Sequence, residues 1–455
     1  MPRSLALCLV LCAVGAVPAP LRAAEPFAAE AQAFVPPVPD ARLLAAAQRV
    51  LDPARRQGRT NEELGRALAA LGADVAPVLV AMLVGDAETT DWEAAGLTLA
   101  QAGPSASGDR ALLLEALRLL PEVRVARALS AACAADAPLD RRLVGLSALA
   151  EVGRASGVET WLGLAQGIEP IHFERAYIRA QLDGALAHCL EAAGEGFDFL
   201  ERRLPTLSEP LFGAIVRATA QSGRARGVEF LFRLRGRGAA LDLELVVALS
   251  TLAAHTLGDV GPERSAWLCE QLGAEDARMR QCAALALGRV ADPTSAAALI
   301  RALGDAEPAV VNSARTALES LAGLRGPNGV QGWEQWLAEE QRWADGEFPR
   351  LRAELQTGGT DHALEAAAAL TRHPLYRHES ARLIAAELAR RDAHFARSAT
   401  AALALLGSAG AVPALVELLA VDDPELKRVA HEALRLLSGR TLPADADAWR
   451  SATRD

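Results

Sequence analysis

A stretch at the end of the chain repeats an earlier one. The two copies align without a gap from Pro308 to Trp333 and from Pro424 to Trp449. In each copy, apolar residues recur at i, i+4, i+7, i+8 and i+11, which places them on one face of a helix. These residues are Val310, Ala314, Ala317, Leu318 and Leu321 in the first copy, and Leu426, Ala430, Ala433, Leu434 and Leu437 in the second. A repeated helix of this kind can bury its apolar face only against its neighbours.

The same helical pattern recurs along most of the chain. Intervals of mostly about 30 to 37 residues leave room for two helices and two turns in each unit. Aromatic residues make up only 4% of the chain, while alanine and leucine are abundant, and this favours closely packed helices. The sequence therefore predicts an all-α fold, an α-solenoid of stacked two-helix repeats. Helices are expected to begin near Arg141, Tyr177, Phe212, Glu244, Arg278, Ala309, His362, His394 and Glu425.

Residues at the repeat boundaries have the chemistry of helix ends. Asp423 is suited to an N-cap, with Pro424 in the first turn, where its missing N–H is not needed. Gly439 and Gly323 stand where a left-handed C-terminal cap would lie. Gly288 and Gly407 are expected to mark the ends of two further helices.

These units resemble HEAT-type repeats, specifically the short bacterial kind related to phycobilin-lyase repeats. The pattern D-x-x-P-x-(V/L)-x-x-x-A-x-x-A-L-x-x-L-x-G, around residues 305–323 and 422–439, carries the resemblance. It is strong over 277–345 and 394–450. The tryptophans after the glycines are similar to the tails of exported repeat proteins from planctomycete-like bacteria. The resemblance implies stacked helices whose exposed surface binds other proteins or peptides.

The beginning of the chain is typical of an export signal. Arg3 is followed by an apolar run from Leu5 to Ala16, then by two prolines and small residues at Ala23 and Ala24. We expect residues 1–23 to be a signal peptide, and the mature protein to be periplasmic or secreted. A lipid anchor at Cys12 is the alternative, although Leu11 before it is too large for the usual motif.

Five segments follow from this organisation. After the signal peptide comes an extended, proline-containing leader at 24–40. A first HEAT-like array is predicted over 41–325, a Trp-rich connector and cap over 326–360, and a second block with a C-terminal cap over 361–455. No stretch after residue 23 reaches 18 apolar residues, so the mature chain is predicted to have no transmembrane helix.

Two His-Glu pairs are the candidate metal ligands. His378-Glu379 and His431-Glu432 each precede an apolar helical stripe. They resemble the iron-ligating pairs of deoxyhypusine hydroxylase, a HEAT-repeat di-iron enzyme, and imidazole and carboxylate suit iron. That family uses four such pairs, whereas this chain has two, so the prediction is that no metal or other cofactor is bound and that both pairs lie on solvated helix edges.

Tryptophans and cysteines are the other residues that stand out. Trp333, Trp336 and Trp449 are predicted to cap the ends of the stacked repeats, because a large apolar ring can cover an exposed core. An aromatic binding patch is the alternative for the tryptophans of the connector. Cys269 and Cys282 are expected on consecutive helices, where a disulfide would be geometrically feasible. Small buried apolar thiols are the other interpretation.

The predicted function is a non-catalytic exported scaffold that binds an unidentified protein or peptide on its helical surface. A net charge of −10 and the lack of an arginine-rich block argue against a nucleic-acid partner. No catalytic motif is present in the sequence. The alternatives are a metal-binding or di-iron enzyme that uses the His-Glu pairs, and a structural component of the cell envelope.

Overall fold

The computed structural model describes residues 39–85, 110–252 and 260–453, apart from positions 135, 155, 167, 170, 171, 174, 193, 194, 324 and 328. The predicted signal peptide (1–23) and nearly all of the predicted leader (24–40) lie outside the described residues. Within the described ranges, every regular element is a helix.

The helices before residue 325 are α1 (Ala41–Leu51), α2 (Pro53–Arg56), α3 (Asn61–Ala69), α4 (Ala76–Gly85), α5 (Arg110–Arg118), α6 (Glu122–Ala132), α7 (Leu139–Val152), α8 (Gly157–Gln166), α9 (Ala176–Ala192), α10 (Glu195–Arg203), α11 (Glu209–Ser222), α12 (Ala225–Arg233), α13 (Ala239–Thr251), α14 (Pro262–Gln271), α15 (Ala277–Val290), α16 (Ala296–Ala302) and α17 (Pro308–Ala322). The later helices are α18 (Gly329–Thr357), α19 (Thr360–Leu370), α20 (Arg377–Glu387), α21 (Ala393–Leu406), α22 (Val412–Leu418), α23 (Pro424–Ser438) and α24 (Ala446–Thr453).

The helices pack in two layers, as an α-solenoid does. In one layer α3, α5, α7, α9, α11, α13, α15 and α17 each contact the next member, and α4, α6, α8, α10 and α12 form the other. After α17 the pattern continues, because α18, α19, α21 and α23 pack in sequence while α20, α22 and α24 lie on the other side. The predicted all-α solenoid is therefore confirmed. Each helix covers the apolar stripe of its neighbours, so buried apolar residues follow one another along the array.

Most helix ends agree with the residues that mark them. The Asp423 carboxylate accepts hydrogen bonds from the backbone N–H groups of Glu425 and Leu426, which confirms the predicted N-cap. Gly323 and Gly439 adopt the left-handed conformation at the ends of α17 and α23. The ten apolar residues of the two repeated stripes are all buried.

Gly288 has a different function from the one expected. It lies inside α15, and the left-handed residue that ends this helix is Ala291, with φ of 55°. A Cβ atom at position 288 would lie 2.6 Å from the Cα of Ala317 on α17. Gly288 is therefore required for close helix packing, whereas Ala291 takes the strained turn.

Arginine side chains bind the carbonyl groups left open at several helix C-termini. Arg289 donates to Leu252 O (2.8 Å), Arg391 to Gly358 O (3.1 Å), and Arg377 to Leu321 O (2.8 Å). The last four carbonyls of a helix have no partner within it, and a cation there also complements the helix dipole. These contacts join helices that are distant in the sequence.

The buried apolar residues form two cores. The first extends from Ala47 to Trp333 and also contains Leu375, and the second extends from Phe348 to Trp449. The segment predicted as a connector (326–360) is mostly the single 29-residue helix α18, which contributes to both cores. Leu375 lies on a 3₁₀ turn before α20 and is 1% exposed, so a residue of the predicted second block fills a position in the first core.

Among the described residues, no single helix combines the length and apolar character needed to cross a membrane. One pair, Asn61–Ala69 and Ala73–Val84, meets those two criteria together but is bent by 106°.

Candidate functional site

A cleft of about 750 Å³ lies where α20 faces α14 and the turn after α15. We call it the junction cleft, because its walls come from helices that bury residues in different cores. It is lined by Val260, Gly261, Pro262, Glu263, Arg264, Val290, Asp292, Pro293, Leu375, Tyr376, His378, Glu379 and Arg382. Most of these side chains are polar, and one of the two predicted His-Glu pairs lies among them.

His378 connects three parts of the fold. Its Nε2 donates to the Val290 carbonyl (3.0 Å), at the end of α15, and its Nδ1 lies 2.9 Å from Ser408 Oγ, at the turn before α22. A carbonyl oxygen can only accept, so Nε2 is the donor to Val290, while Nδ1 forms the hydrogen bond with the serine hydroxyl. Both ring nitrogens are occupied by protein partners, so His378 is held as a structural link. The neighbouring Glu379 is exposed.

The second pair has a different environment. His431 lies in the middle of α23, where its Nε2 is 2.7 Å from the Leu442 carbonyl and its ring meets Trp449 edge-on at 6.1 Å. Glu432 is 67% exposed and pairs with Arg428 at 3.4 Å on the same helix. In the ranges that the structure covers, no group of three or more His, Cys, Asp and Glu side chains is arranged to hold a metal ion.

An aromatic cluster borders the junction cleft. The rings of Trp343 and His373 are stacked, with centroids 3.7 Å apart and planes at 12°. Trp343 also lies 5.5 Å from Phe348 and 5.7 Å from Tyr376. Nδ1 of His373 is 3.2 Å from both carboxylate oxygens of Glu340 on α18. Tyr376 belongs both to this cluster and to the wall of the cleft.

The electrostatic environment of Tyr376 is negative. Burial raises the pKa of its phenol, and the charges of Glu340, Asp345 and Glu379 raise it further. Two other cleft acids are already engaged, because Glu263 pairs with Arg235 and Asp292 caps the turn at Thr294. Glu379 is therefore an exposed carboxylate of the cleft lining, beside Tyr376.

A second cleft, of about 740 Å³, surrounds Arg217. The guanidinium of Arg217 binds the buried Asp183 through two hydrogen bonds, of 2.7 and 3.2 Å, and pairs with Glu244 at 3.2 Å. Burial raises the pKa of Asp183, while the hydrogen bond and charge of Arg217 lower it. The three residues lie on α9, α11 and α13, so this network links three consecutive helices of one layer.

The predicted capping tryptophans are at the ends of the cores. Trp333 is 1% exposed in the first core, and Trp336 packs against it edge-on at 5.2 Å. Trp449 is fully buried in the second core, where its indole N–H donates to Pro443 O (2.9 Å). These positions suit capping, which stays a prediction. Trp343, in contrast, packs against the second core.

All four cysteines in the described ranges are free thiols. Cys269 and Cys282 lie on the consecutive helices α14 and α15, as expected, but the candidate disulfide between them is not formed. Burial raises the pKa of Cys133 and of Cys189 to about 12 and that of Cys269 to about 11. Cys133, Cys189 and Cys269 are therefore protonated at neutral pH.

The sequence indicates part of this site. His378 and Glu379 stand out in it as candidate metal ligands, although no bound metal is predicted, whereas His373 and Tyr376 do not stand out. The available signal was the short stretch HPLYRHE, in which aromatic and charged residues surround Pro374. The Arg217 network left a weaker signal, since opposite charges stand at positions 183, 217 and 244, about one repeat apart.

Comparison with known proteins identifies the repeat type in one part of the chain. The family model of HEAT repeats matches residues 248–319, and no curated protein matches the chain. The solved structures that are similar to this chain share little sequence identity with it. The karyopherin Kap121p bound to the extreme C-terminus of the protein phosphatase Cdc14p is 14% identical, with a TM-score of 0.36, over 92% of this chain and 47% of that one.

Kap121p bound to Nup53p is also 14% identical, with a TM-score of 0.35, over 91% of this chain and 47% of that one. An engineered protein is 16% identical, with a TM-score of 0.26, over 86% of this chain and 98% of that one. The chain thus spans about half the length of Kap121p. Residues 248–319 match HEAT repeats, and the described residues of this range lie within the all-α solenoid.

Proposed function

We propose that this chain is a non-catalytic repeat scaffold that binds a protein or peptide partner in the junction cleft. This proposal rests mainly on the cleft, a space of about 750 Å³ between α14, the turn after α15, and α20. Spaces of this size accommodate a small ligand or a few side chains of a peptide. The walls come from residues up to 122 positions apart, Val260 and Arg382, so the complete site exists only in the folded array.

The side chains of the cleft support binding better than catalysis. His378 uses both ring nitrogens to hold Val290 and Ser408, and a general base needs a nitrogen directed at its substrate. Arg264 pairs with Glu229 at 3.3 Å. The half-buried Tyr376 and the exposed Glu379 are suited to contacts with a partner. The metal-dependent alternative gains no support from the second pair, whose His431 binds Leu442.

Site-specific photo-cross-linking tests this proposal. The change Glu379→p-benzoylphenylalanine places the reactive group at the cleft, and Glu432→p-benzoylphenylalanine is the matched control in the other His-Glu pair. We expect position 379, but not position 432, to yield a discrete product with the same partner in repeated preparations of the source cell envelope. Absence of such a product, or equal products from both positions, contradicts a binding function for the cleft.

We further propose that the scaffold acts outside the cytoplasm. The support is the sequence of residues 1–23, with its apolar run and small residues at the expected cleavage point. A fusion of residues 1–40 to a reporter enzyme that is active only after export tests this. The reporter should be active with the natural sequence and inactive when Leu9→Arg and Val10→Arg interrupt the apolar run. Activity in both cases, or in neither, contradicts export by this segment.

A further inference from the structure

One wall of the junction cleft is aromatic. It consists of Tyr376, which lines the cleft, and of Trp343 and Phe348 next to it. Tyr376 stands in the cleft, Trp343 lies 5.7 Å from its ring, and Phe348 lies 6.2 Å from it. One face of Trp343 is covered by His373. Tyr376 therefore offers the ring that a bound partner meets in the cleft, with Trp343 and Phe348 supporting it from α18.

Three carboxylates surround this wall. Glu340, Asp345 and Glu379 all act electrostatically on Tyr376. Glu340 is engaged by His373, whereas Asp345 and Glu379 are exposed, and Glu379 forms no ion pair with the residues that the structure describes. Tyr376 ends the turn before α20 and Glu379 lies in the first turn of that helix. Both side chains line the cleft, and the charge of Glu379 acts on the phenol of Tyr376.

The neighbouring arginines leave this negative region largely in place. Arg377 directs its guanidinium away, to the carbonyls of Ser320 and Leu321 at the end of α17. Arg264 is held by Glu229, and its guanidinium lies 5.4 Å above the ring of Phe232. Arg382, one turn after Glu379, is the remaining cation of the cleft lining.

We propose that the partner segment in the junction cleft, the site of the proposed function, inserts an arginine side chain between Tyr376 and Glu379. An aromatic face and a carboxylate together match a guanidinium, which stacks on rings and donates two parallel hydrogen bonds to a carboxylate. A lysine would supply the positive charge but neither the planar stacking nor the two parallel hydrogen bonds. A neutral side chain would not supply the charge either. The charge complementarity of the wall thus selects a basic peptide as its occupant.

The chain offers an internal reporter for this test, because it contains only two tyrosines, Tyr177 and Tyr376. Incorporation of 3-fluorotyrosine gives one ¹⁹F signal in the cleft and one on α9, and Tyr177→Phe assigns them. The probe is the peptide N-acetyl-Gly-Arg-Gly-amide. Its control is the same peptide with citrulline, which keeps the shape of arginine without the charge, at matched ionic strength.

We expect the arginine peptide to shift the Tyr376 signal in a saturable manner, while the Tyr177 signal stays in place. The same peptide with lysine in place of arginine should bind more weakly than the arginine peptide, and the citrulline peptide should bind more weakly still. Glu379→Gln should weaken arginine-peptide binding about fivefold, as expected for loss of one charged hydrogen-bonding partner. Glu432→Gln, the same change at the other His-Glu pair, should leave it unchanged.

Equal responses to the arginine and citrulline peptides, or equal shifts of both tyrosines, overturn the arginine proposal. So does the absence of any shift. These outcomes are separable from failure of the scaffold function. A partner cross-linked through position 379 by a segment without arginine removes the arginine specificity but keeps the scaffold, whereas loss of the position-379 product removes both.

Discussion

The Cα atom of Ala317 lies 2.6 Å from the point that a Cβ atom on Gly288 would occupy. At this place α15 and α17 approach each other backbone to backbone, with no space for a side chain on residue 288. Small residues in this sequence are thus placed at specific positions where two helices approach closely. Replacing one of them tests whether the packing of neighbouring repeats is as close as the structure has it.

Gly288→Ala should lower the free energy of unfolding by about 1–3 kcal/mol, because the added methyl group forces α15 and α17 apart. Gly184→Ala is the matched control, since Gly184 lies within α9 and an added Cβ meets nothing within 4 Å. That change should stabilise the chain by up to about 1 kcal/mol through helix propensity. Chemical denaturation measures both, and equal effects would contradict the packing described here.

Arg217→Ala should destabilise the fold by about 3 kcal/mol, because it removes the guanidinium that is hydrogen-bonded to the buried carboxylate of Asp183. Arg428→Ala is the control, since Arg428 and Glu432 are both 67% exposed and such pairs contribute less than about 1 kcal/mol. Comparable losses in the two variants would show that the Arg217 network has no special importance for the stacking of α9, α11 and α13.

The cost of Arg217→Ala should depend on pH. Arg217 lowers the pKa of Asp183, which burial has raised above its value in the unfolded chain, so removing Arg217 raises this pKa further. A carboxyl whose folded pKa is raised destabilises the folded chain above that pKa, and the penalty disappears as the group is protonated. The difference between variant and parent should therefore be largest at neutral pH and shrink towards about pH 4. A difference that grows on acidification would contradict this assignment.

Trp449→Ala should unfold the end of the second core while α15 and α17 remain protected. The indole of Trp449 is fully buried and hydrogen-bonded to Pro443, and truncating a buried tryptophan costs about 3–5 kcal/mol. Hydrogen exchange should accelerate in α22, α23 and α24. Leu436→Ala, at a side chain that is 71% exposed, should leave exchange unchanged, and a uniform loss of protection across all helices would contradict a local capping role.

Thiol titration tests the state of the cysteines. In a chain that begins at residue 24, four thiols should react after denaturation without reductant, because all four are free. Before denaturation, Cys133 and Cys189 should be protected, since burial raises their pKa to about 12 and only the thiolate reacts. Recovery of only two thiols would instead indicate the disulfide between Cys269 and Cys282.

The sequence allowed the repeats and their caps to be predicted because both are local. The buried stripe of α17, from Val310 to Leu321, follows from a helical period, and the Asp423 cap from one residue and its next neighbours. The position of Leu375 in the first core could not be read in this way. It depends on the tertiary fold, in which α18 leads the chain back to α15 and α17. No periodic pattern in the sequence indicates a contact between residues so far apart.

The candidate site likewise combines residues that the local sequence indicates with contacts that depend on the fold. His378 and Glu379 stand out as a pair, and a pair of this composition indicates metal binding more readily than packing. The structure assigns the histidine to Val290 and Ser408, which lie 88 and 30 positions away. The proximity of Trp343 to Tyr376 likewise depends on the fold, since the two rings come from α18 and from a turn that follows α19.

The helix α18 also restricts how the length of this chain can change. It buries Trp333 in one core and Phe348 in the other, and a helix turns by about 100° with each residue. Inserting a single residue between them would rotate one set of buried side chains away from its core. Insertions or deletions here should be tolerated only near whole turns, so α18 fixes the rotational register between the two cores.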